Sequence, residues 1–444
     1  MTVRRTAAER ATAAVGTVIN GTPLYVKTNE LTGVSVSAGA TPIGLPGSPV
    51  KTLRRINIPC GEFATHTVAQ AAHRTYRAAT AFKSRPRRVR LWFANADSAT
   101  AAITSCAISP STNGALTANL WSSSSSSWIS GGAVSIPARI AVGRPSMAAS
   151  AWMQIDAVES VTAPGTWPVL AEAWVDTTSG PANVTIGFYD MGWAESDPLD
   201  GGTYYAHRWQ DGDKFTVPSS FSDTTIRGAG AIIGMEAECD EGSTVVLVNG
   251  DSIRAGAGTT RAGETDAMIA VRNMNLAGYS VSYIALGWGG LNTSTYSARL
   301  IENVATLKPD VVVYTVGSPN DGTPAATVLR IERFNMHAAI SASRAAGAAV
   351  ILSAQAPNTS YSWNASADDL RKALNAGAAA MASPSALRWY AHAVAGLGDG
   401  ATPERYAPTY TTDNNHPNQA GYEYASINMQ TVLTGVIKSI GHAV

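Results

Sequence analysis

Four short polar fragments in the second half of this 444-residue chain carry the side chains best suited to chemistry. They read Gly-Asp-Ser-Ile at 250–253, Gly-Trp-Gly-Gly at 287–290, Gly-Ser-Pro-Asn-Asp at 317–321 and Asp-Asn-Asn-His-Pro at 413–417. The first three follow apolar segments that predict strands. Because loops at the carboxyl ends of parallel strands line one crevice, we expect these three fragments to lie close together.

Ser252 and His416 are the predicted nucleophile and base. A serine hydroxyl is a weak nucleophile and needs a base to accept its proton. His416 can supply that base, and Asp413, three positions earlier on the same loop, can bind the other imidazole nitrogen and so select the tautomer. The three side chains together predict nucleophilic attack on an acyl carbon.

Attack of this kind produces an oxyanion, which needs hydrogen-bond donors already in place. The predicted donors are the backbone N–H groups of Ser252 and Gly290 and the side-chain amide of Asn320. Gly290 has no side chain, so a substrate can approach its backbone closely. Gly289 is a weaker rival for the same role.

The two acidic residues beside these groups have structural interpretations. Asp251 is predicted to cap or brace the turn after the first strand. Asp321, which follows Asn320, is likewise predicted to be structural, because an Asn-Asp pair usually marks a turn.

Apolar segments alternate with helical segments after about residue 243, and this pattern decides the predicted fold of that half. Continuous apolar strands between helices imply a parallel sheet covered on both faces, which is an α/β architecture. The predicted strands are 245–248, 281–286, 311–316, 349–353 and 387–391, and the predicted helices are 263–274, 295–307, 324–346, 366–382 and one from Pro417 towards 440.

The preceding residues, 56–240, show the period-two alternation of half-buried antiparallel strands. Examples are 88–93, 153–157 and 184–188. Turn-rich gaps separate these segments, so we predict an antiparallel β-sandwich or jelly-roll-like accessory domain. Residues 1–55, rich in Gly, Thr, Ser, Ala and Pro, are predicted to be a loosely structured N-terminal arm.

The order and spacing of the four fragments resemble those of the SGNH hydrolases, also known as GDSL-type lipases and esterases. The resemblance covers 243–440 and is closest at 413–422, which reads Asp-Asn-Asn-His-Pro-Asn-Gln-Ala-Gly-Tyr. The segment 88–95 is similar to part of the β domain that precedes the serine in some bacterial members. The resemblance implies a flavodoxin-like hydrolase domain at 243–444, with no metal and no organic cofactor.

The resemblance also implies the site residues: Ser252, His416 and Asp413 as a catalytic triad, and Ser252, Gly290 and Asn320 as an oxyanion hole. Two features depart from the family's pattern. Ser318 stands where the third block usually has glycine, which leaves the conformation of that loop open. Arg254 stands where a small polar residue is frequent, and we expect it either to shape substrate preference or to point to solvent.

The implied function is hydrolysis of carboxylic esters through an acyl-enzyme. The expected substrates are short-chain acyl or acetyl esters, including O-acetyl groups on polysaccharide. Two alternatives stay open: a lipase or arylesterase acting on other small esters, and a glycan-binding or structural component with a vestigial hydrolase fold. The intact Ser252, His416, Asp413 and Asn320 argue against the vestigial form. Homo-oligomerisation through the β domain also stays open.

Composition excludes some classes of protein. Lys and Arg together number 32, as do Asp and Glu, so the chain lacks the basic excess of an electrostatic nucleic-acid binder. The only basic cluster, formed by Arg85, Arg87, Arg88 and Arg90, is predicted to be a solvated strand face. No apolar stretch reaches the length of about 18 residues that a membrane span needs.

Cysteine content and the N-terminus leave the cellular location undecided. Cys60, Cys106 and Cys239 form no Cys-x-x-Cys pair, so a zinc site is not expected. One disulfide with a free thiol, or three reduced thiols, are equally open. Residues 1–18 contain no continuous apolar segment, and we recognise no secretory signal there.

Overall fold

A computed structural model gives the fold, and the residues that it describes all lie within Pro49–Val444. The predicted arm at 1–55 lies outside the described residues, apart from a strand that begins at Thr52. The described ranges are 52–56, 73–111, 128–176, 187–188, 206–216, 229–239, 243–259, 264–321, 326–358 and 364–440, with short gaps at 83, 96, 143, 162–163, 166 and 214.

The first half of the unit consists of antiparallel strands. Two five-stranded sheets have the orders β1-β12-β3-β6, with β7 also on β3, and β10-β2-β8-β4-β5, while β9 pairs with β11. The strands are β1 (Thr52–Ile56), β2 (Arg74–Phe82), β3 (Pro86–Asn95), β4 (Ala101–Pro110), β5 (Ile129–Ile136), β6 (Ser146–Ala149), β7 (Met153–Gln154), β8 (Trp167–Val175), β9 (Gly187–Phe188), β10 (Ala206–Asp211), β11 (Ala229–Gly230) and β12 (Gly234–Cys239).

Alternation along β3 determines which side chains enter the core. Val89, Leu91 and Phe93 are buried in one apolar cluster with residues of both five-stranded sheets. Along 153–157, Met153, Ile155 and Ala157 are also buried in that cluster, although the strand itself ends at Gln154. The predicted alternation therefore holds as a burial pattern beyond the hydrogen-bonded strand.

The other face of β3 is less solvated than its arginines suggest. Arg88 and Arg90 form ion pairs with Glu238 and Glu236 of β12. Their guanidinium groups lie 4.7 Å and 4.6 Å from the centre of the Trp152 ring. The predicted solvated strand face holds in part: the side chains of Arg88 and Arg90 are 35% and 24% exposed, and a neighbouring strand and an aromatic ring cover the rest.

The second half is an α/β structure with a parallel sheet in the order β14-β13-β15-β16-β17. Numbered within this half, the order is 2-1-3-4-5, which is that of flavodoxin-like sheets, as predicted. The elements are β13 (Thr244–Asn249), α1 (Asp266–Leu276), β14 (Val281–Ala285), α2 (Thr293–Leu307), β15 (Val311–Thr315), α3 (Ala326–Ala345), β16 (Ala349–Ser353), α4 (Ala365–Ala380), β17 (Arg388–Ala391) and α5 (Gln419–Ser439).

Every residue of the four strands β13 to β16 is buried, because helices cover both faces of the sheet. Val246 and Val248 of β13 face a core shared with α1 and α5. Val245 and Leu247 face a second core shared with α2 and α3. That second core also includes Trp92, so the antiparallel half packs directly against the parallel half.

The last helix begins slightly later than predicted. The side chain of Asn418 accepts a hydrogen bond from the N–H of Gly421 and caps α5. Pro417 therefore precedes the cap instead of occupying the first turn.

Two remaining features bear on the compositional predictions. Cys106 and Cys239 are buried free thiols, while Cys60 lies outside the described residues. Within the part of the chain that the structure describes, no helix combines the length and the apolarity needed to cross a bilayer.

Candidate active site

Ser252 lies in a tight turn just beyond the carboxyl end of β13. The neighbours of β13, strands β14 and β15, leave it in opposite directions across the sheet, so a crevice opens where Ser252 lies. Backbone hydrogen bonds close the turn: the N–H of Ala255 lies 3.1 Å from the carbonyl of Ser252, and that of Ala257 lies 3.0 Å from it.

His416 reaches this serine from a loop 164 positions later in the chain. Its Nε2 atom lies 2.9 Å from Ser252 Oγ, and its Nδ1 atom lies 2.7 Å from Asp413 Oδ2. The three predicted residues therefore form a continuous chain of hydrogen-bonding groups. Such a chain can move a proton from the hydroxyl to the imidazole while the carboxylate stabilises the imidazolium.

The other oxygen of Asp413 shapes the loop itself. Oδ1 accepts hydrogen bonds from the backbone N–H groups of His416 and Asn415, each at 2.8 Å. Partial burial raises the pKa of the Asp413 carboxyl, but the bonds from His416 and Asn415 outweigh that effect and lower the pKa below its ordinary value. Asp413 is therefore an anion at neutral pH.

Three residues that the sequence-based predictions did not include hold the His416 loop in place. Thr411 Oγ1 donates to the carbonyl of His416 at 2.8 Å and accepts from the N–H of Asn414 at 2.9 Å. The buried hydroxyl of Tyr422 lies 2.9 Å from the carbonyl of Ile253, so it joins α5 to the turn of the nucleophile.

The third of these residues is Gly258, which has a φ of +88°. It packs so closely on the loop that an added Cβ would lie 2.4 Å from the carbonyl oxygen of Pro417. Sequence signals for two of these positions were available: Tyr422 closes the block at 413–422, and Gly258 belongs to a Gly-x-Gly pair after the nucleophile.

Ser318, the departure from the family's glycine, connects the first three fragments. Its Oγ atom lies 2.6 Å from Asp251 Oδ2 and 3.0 Å from the carbonyl of Leu291. The N–H of Asn320 donates to the same oxygen at 3.2 Å, and Asn320 Nδ2 donates to the carbonyl of Leu291 at 3.1 Å. The serine hydroxyl thus orders a loop that glycine would leave without these bonds.

Asp251 and Asp321 both have the bracing positions that were predicted for them. Asp251 Oδ1 accepts from the N–H of Ile253 at 3.0 Å, and burial raises the pKa of the Asp251 carboxyl. Asp321 accepts from the N–H of Thr293 at 2.7 Å and from that of Ser318 at 2.9 Å. Together they connect the turn of the nucleophile and the loop of Asn320 to the rest of the fold.

A buried carboxyl on α3 approaches Asp321 and was not predicted. Glu332 is 2 % exposed. Burial, a hydrogen bond to Asp321 and the charge of Asp321 together raise the pKa of Glu332 to about 10. Glu332 is therefore protonated at neutral pH and can share its proton with the Asp321 carboxylate.

Gly290 lies on the loop after β14 with a φ of +75°. Among the described residues, no atom lies within 4 Å of the place that a Cβ would occupy, so the backbone here is open to a ligand. The N–H of Trp288 donates to the carbonyl of Gly250 at 3.2 Å, which ties this loop to the start of the nucleophile's turn. The second fragment thus lies beside the first, as expected.

Arg254 corrects both expectations for that position. Its side chain is 2 % exposed, so it neither points to solvent nor reaches a substrate. The guanidinium donates through Nε to Thr315 Oγ1 at 2.9 Å and contacts Asp266 and Ser353. The carboxylate of Asp266 supplies the charge partner that makes burial of this cation tolerable.

The described ranges contain no group of three or more His, Cys, Asp or Glu side chains arranged to hold a metal ion. The side chains gathered at the carboxyl edge of the sheet are instead a hydroxyl, an imidazole, carboxyls and an amide.

The sequence of this half matches a known family. Residues 248–424 match the GDSL-like Lipase/Acylhydrolase family. This stretch is a GDSL-like lipase/acylhydrolase domain. The family assignment of the GDSL-like domain supports ester hydrolysis in general, and the antiparallel half lies outside the matched residues.

Solved structures are similar to less than half of the chain. A GDSL-like lipase from Bacteroides thetaiotaomicron has 19% identity and a TM-score of 0.33, covering 44% of this chain and 89% of its own. A family 3 carbohydrate esterase from Talaromyces cellulolyticus has 19% identity and a TM-score of 0.35, covering 44% of this chain and 98% of its own. A lipase/acylhydrolase from Enterococcus faecalis has 21% identity and a TM-score of 0.35, covering 43% of this chain and 96% of its own. No sequence among the curated proteins matches.

Proposed function

We propose that the protein hydrolyses carboxylic esters by double displacement, with Ser252 as the nucleophile. The observation that carries this proposal is the chain of contacts from Ser252 Oγ to His416 Nε2 at 2.9 Å and from His416 Nδ1 to Asp413 Oδ2 at 2.7 Å. Distances in this range allow proton transfer without rearrangement of the side chains.

In the first displacement, Ser252 Oγ forms a bond to the acyl carbon and its proton passes to His416 Nε2. The tetrahedral intermediate then breaks its bond to the alcohol oxygen, and His416 gives its proton to that oxygen. In the second displacement, His416 takes a proton from water, the hydroxide attacks the acyl-enzyme, and the proton returns to Ser252 as the carboxylic acid leaves. Asp413 stays ionised throughout and stabilises the imidazolium.

The proposed oxyanion donors are the backbone N–H groups of Ser252 and Gly290 and the side-chain amide of Asn320. Two observations support this part of the proposal. The backbone around Gly290 is open, and Leu291, its neighbour, binds the amide of Asn320 through its carbonyl. Asn320 Nδ2 also donates to Ser318 Oγ at 3.2 Å, so two acceptors hold the amide beside Gly290, and one of these bonds must open when the amide serves the oxyanion.

For the substrate class we propose short-chain acyl esters, including O-acetyl groups on polysaccharide. The support is the antiparallel half, which packs on the GDSL-like domain through Trp92 and so extends the surface next to it. Two of the described tryptophans offer no free face to a sugar ring, because Trp92 is buried and the guanidinium groups of Arg88 and Arg90 lie over Trp152.

The test compares the wild-type protein with Ser252→Ala on a short-chain chromogenic ester and on an acetylated polysaccharide. Ser385→Ala is the control, since Ser385 is an exposed serine of the same half. We expect Ser252→Ala to lose activity by about 10³-fold or more and the control to keep it. Equal turnover by wild type and Ser252→Ala would contradict the nucleophile, and polysaccharide binding without acetate release would favour the glycan-binding alternative.

A further inference from the structure

We propose that Arg254 is a positioning residue, which fixes the turn that carries Ser252 relative to the carboxyl ends of the neighbouring strands. The proposal rests on the proposed function, because it needs Ser252 to be the nucleophile. Arg254 lies two positions after Ser252 and its guanidinium is buried below the turn, so it acts through the backbone and touches no substrate.

One side chain joins three separate elements to this turn. Its Nε donates to Thr315, the last residue of β15, at 2.9 Å. Its terminal nitrogens contact Ser353, the last residue of β16, and Asp266, the first residue of α1. The turn that carries the nucleophile is thereby attached to the carboxyl ends of two strands and the N-terminus of a helix.

The bonds inside the turn carry this attachment to the nucleophile. The N–H of Ala255, adjacent to Arg254, donates to the carbonyls of Asp251 and Ser252 at 3.0 Å and 3.1 Å. A shift of the backbone at Arg254 therefore moves Ser252. Misplacing a reacting atom by about 1 Å can lower a rate by about 10²-fold.

Two glycines make room for this arrangement. A Cβ at Gly250 would lie 2.5 Å from Cγ of Arg254, and a Cβ at Gly287 would lie 2.2 Å from its carbonyl oxygen. The first glycine accommodates the stem of the side chain and the second accommodates its backbone. A larger residue at either glycine would therefore collide with Arg254.

Lysine is an informative replacement, because it keeps the charge and most of the length. A guanidinium presents five N–H donors in a planar fork, whereas an ammonium is a single point charge. Lysine can keep the ion pair with Asp266 but cannot also reach Thr315 and Ser353 in the same geometry. Arg254→Lys thus separates the positioning role from the need to neutralise a buried carboxylate.

The experiment measures kcat and KM for wild type, Arg254→Lys and a matched control, Arg371→Lys, on the short-chain ester. Arg371 is also buried and pairs with a buried carboxylate, Asp368, on α4. Active sites are counted with a fluorophosphonate, which phosphonylates a nucleophilic serine, so that loss of folded protein does not lower the result. Thermal denaturation of each variant is recorded alongside.

For Arg254→Lys we expect kcat per titrated serine to fall by about 10-fold to 10²-fold, with KM within about twofold, and phosphonylation to slow in parallel. The control should lower thermal stability and leave kcat per site unchanged. If kcat per site in Arg254→Lys stays within twofold of wild type, the positioning role is wrong while the proposed function stands. If the wild-type serine neither turns over the ester nor reacts with the fluorophosphonate, the proposed function itself is wrong, and the inference fails with it.

Discussion

Gly258 and Pro417 are in direct contact, although they lie 159 positions apart in the sequence. A Cβ at Gly258 would lie 2.4 Å from the carbonyl oxygen of Pro417 and 3.2 Å from Cβ of His416. The glycine therefore allows the loop that carries the base to rest on the turn that carries the nucleophile. The distance between His416 and Ser252 depends on this close approach.

We expect Gly258→Ala to lower kcat by about 10-fold or more, because the added methyl group must push the His416 loop away. Gly278→Ala is a matched control: Gly278 has a φ of +95°, and among the described residues no atom lies within 4 Å of its Cβ position. Both variants should lose about 1–2 kcal/mol of stability from the left-handed backbone. Equal kcat values for the two variants would contradict the importance of the contact.

Asp413→Asn should lower kcat by about 10²-fold to 10⁴-fold, because the amide no longer stabilises the imidazolium or selects its tautomer. The folded-state pKa of Asp413 is lowered, so its contribution to stability is present above its unfolded pKa of about 3.9 and is lost as the pH falls through the folded value. The stability difference from wild type should therefore be larger at pH 7 than at pH 3 in thermal denaturation.

Asp399→Asn is the control for that measurement. Asp399 also has a lowered pKa, caused by bonds from the backbone N–H groups of Arg405 and Ala401, but it lies in another loop. Its substitution should leave kcat unchanged. A similar loss of kcat in both variants would mean that Asp413 acts only on stability.

Asn320→Ala should lower kcat by about 10²-fold to 10³-fold, which is the usual loss when one oxyanion donor is removed. The KM for the ester should change far less, because the oxyanion forms only in the transition state. Asn335→Ala is a suitable control, since this half-buried residue lies on α3 and its amide donates to the hydroxyl of Ser294 at 2.9 Å. An unchanged kcat in Asn320→Ala would exclude this amide from the oxyanion hole.

Glu332→Gln should stabilise the protein, and the gain should grow with pH. The folded-state pKa of Glu332 is about 10, above the unfolded value of about 4.3, so the wild type loses stability as the pH rises between these values. Glutamine does not titrate and still donates a hydrogen bond to Asp321. We expect a rise in Tm of about 2–4 °C or more at pH 8 and a smaller one at pH 5.

The control for this prediction is Glu423→Gln, an exposed position on α5. Its effect on Tm should be small at both pH values. If the gain from Glu332→Gln is the same at pH 5 and pH 8, the carboxyl does not titrate as described.

The parallel half was predictable because its signals are local. A continuous β-branched segment such as 311–316 indicates a strand that is buried on both faces of a sheet. The observed strand β15 lies within that segment. Each strand and helix predicted after residue 243 has a counterpart within a few residues of the expected bounds. The antiparallel half was predictable as alternating strands, while its arrangement as a sandwich stays a prediction.

The sequence by itself predicted Ser252, His416 and Asp413 as a triad, because acyl transfer needs those side-chain types and the fragments occur in the expected order, Ser252 after a strand and the other two before the last helix. Only the tertiary structure decided what surrounds them. Arg254 meets Ser353, and Gly258 meets Pro417, across about a hundred positions or more. Contacts of this kind depend on how elements pack, and no local propensity or spacing encodes them.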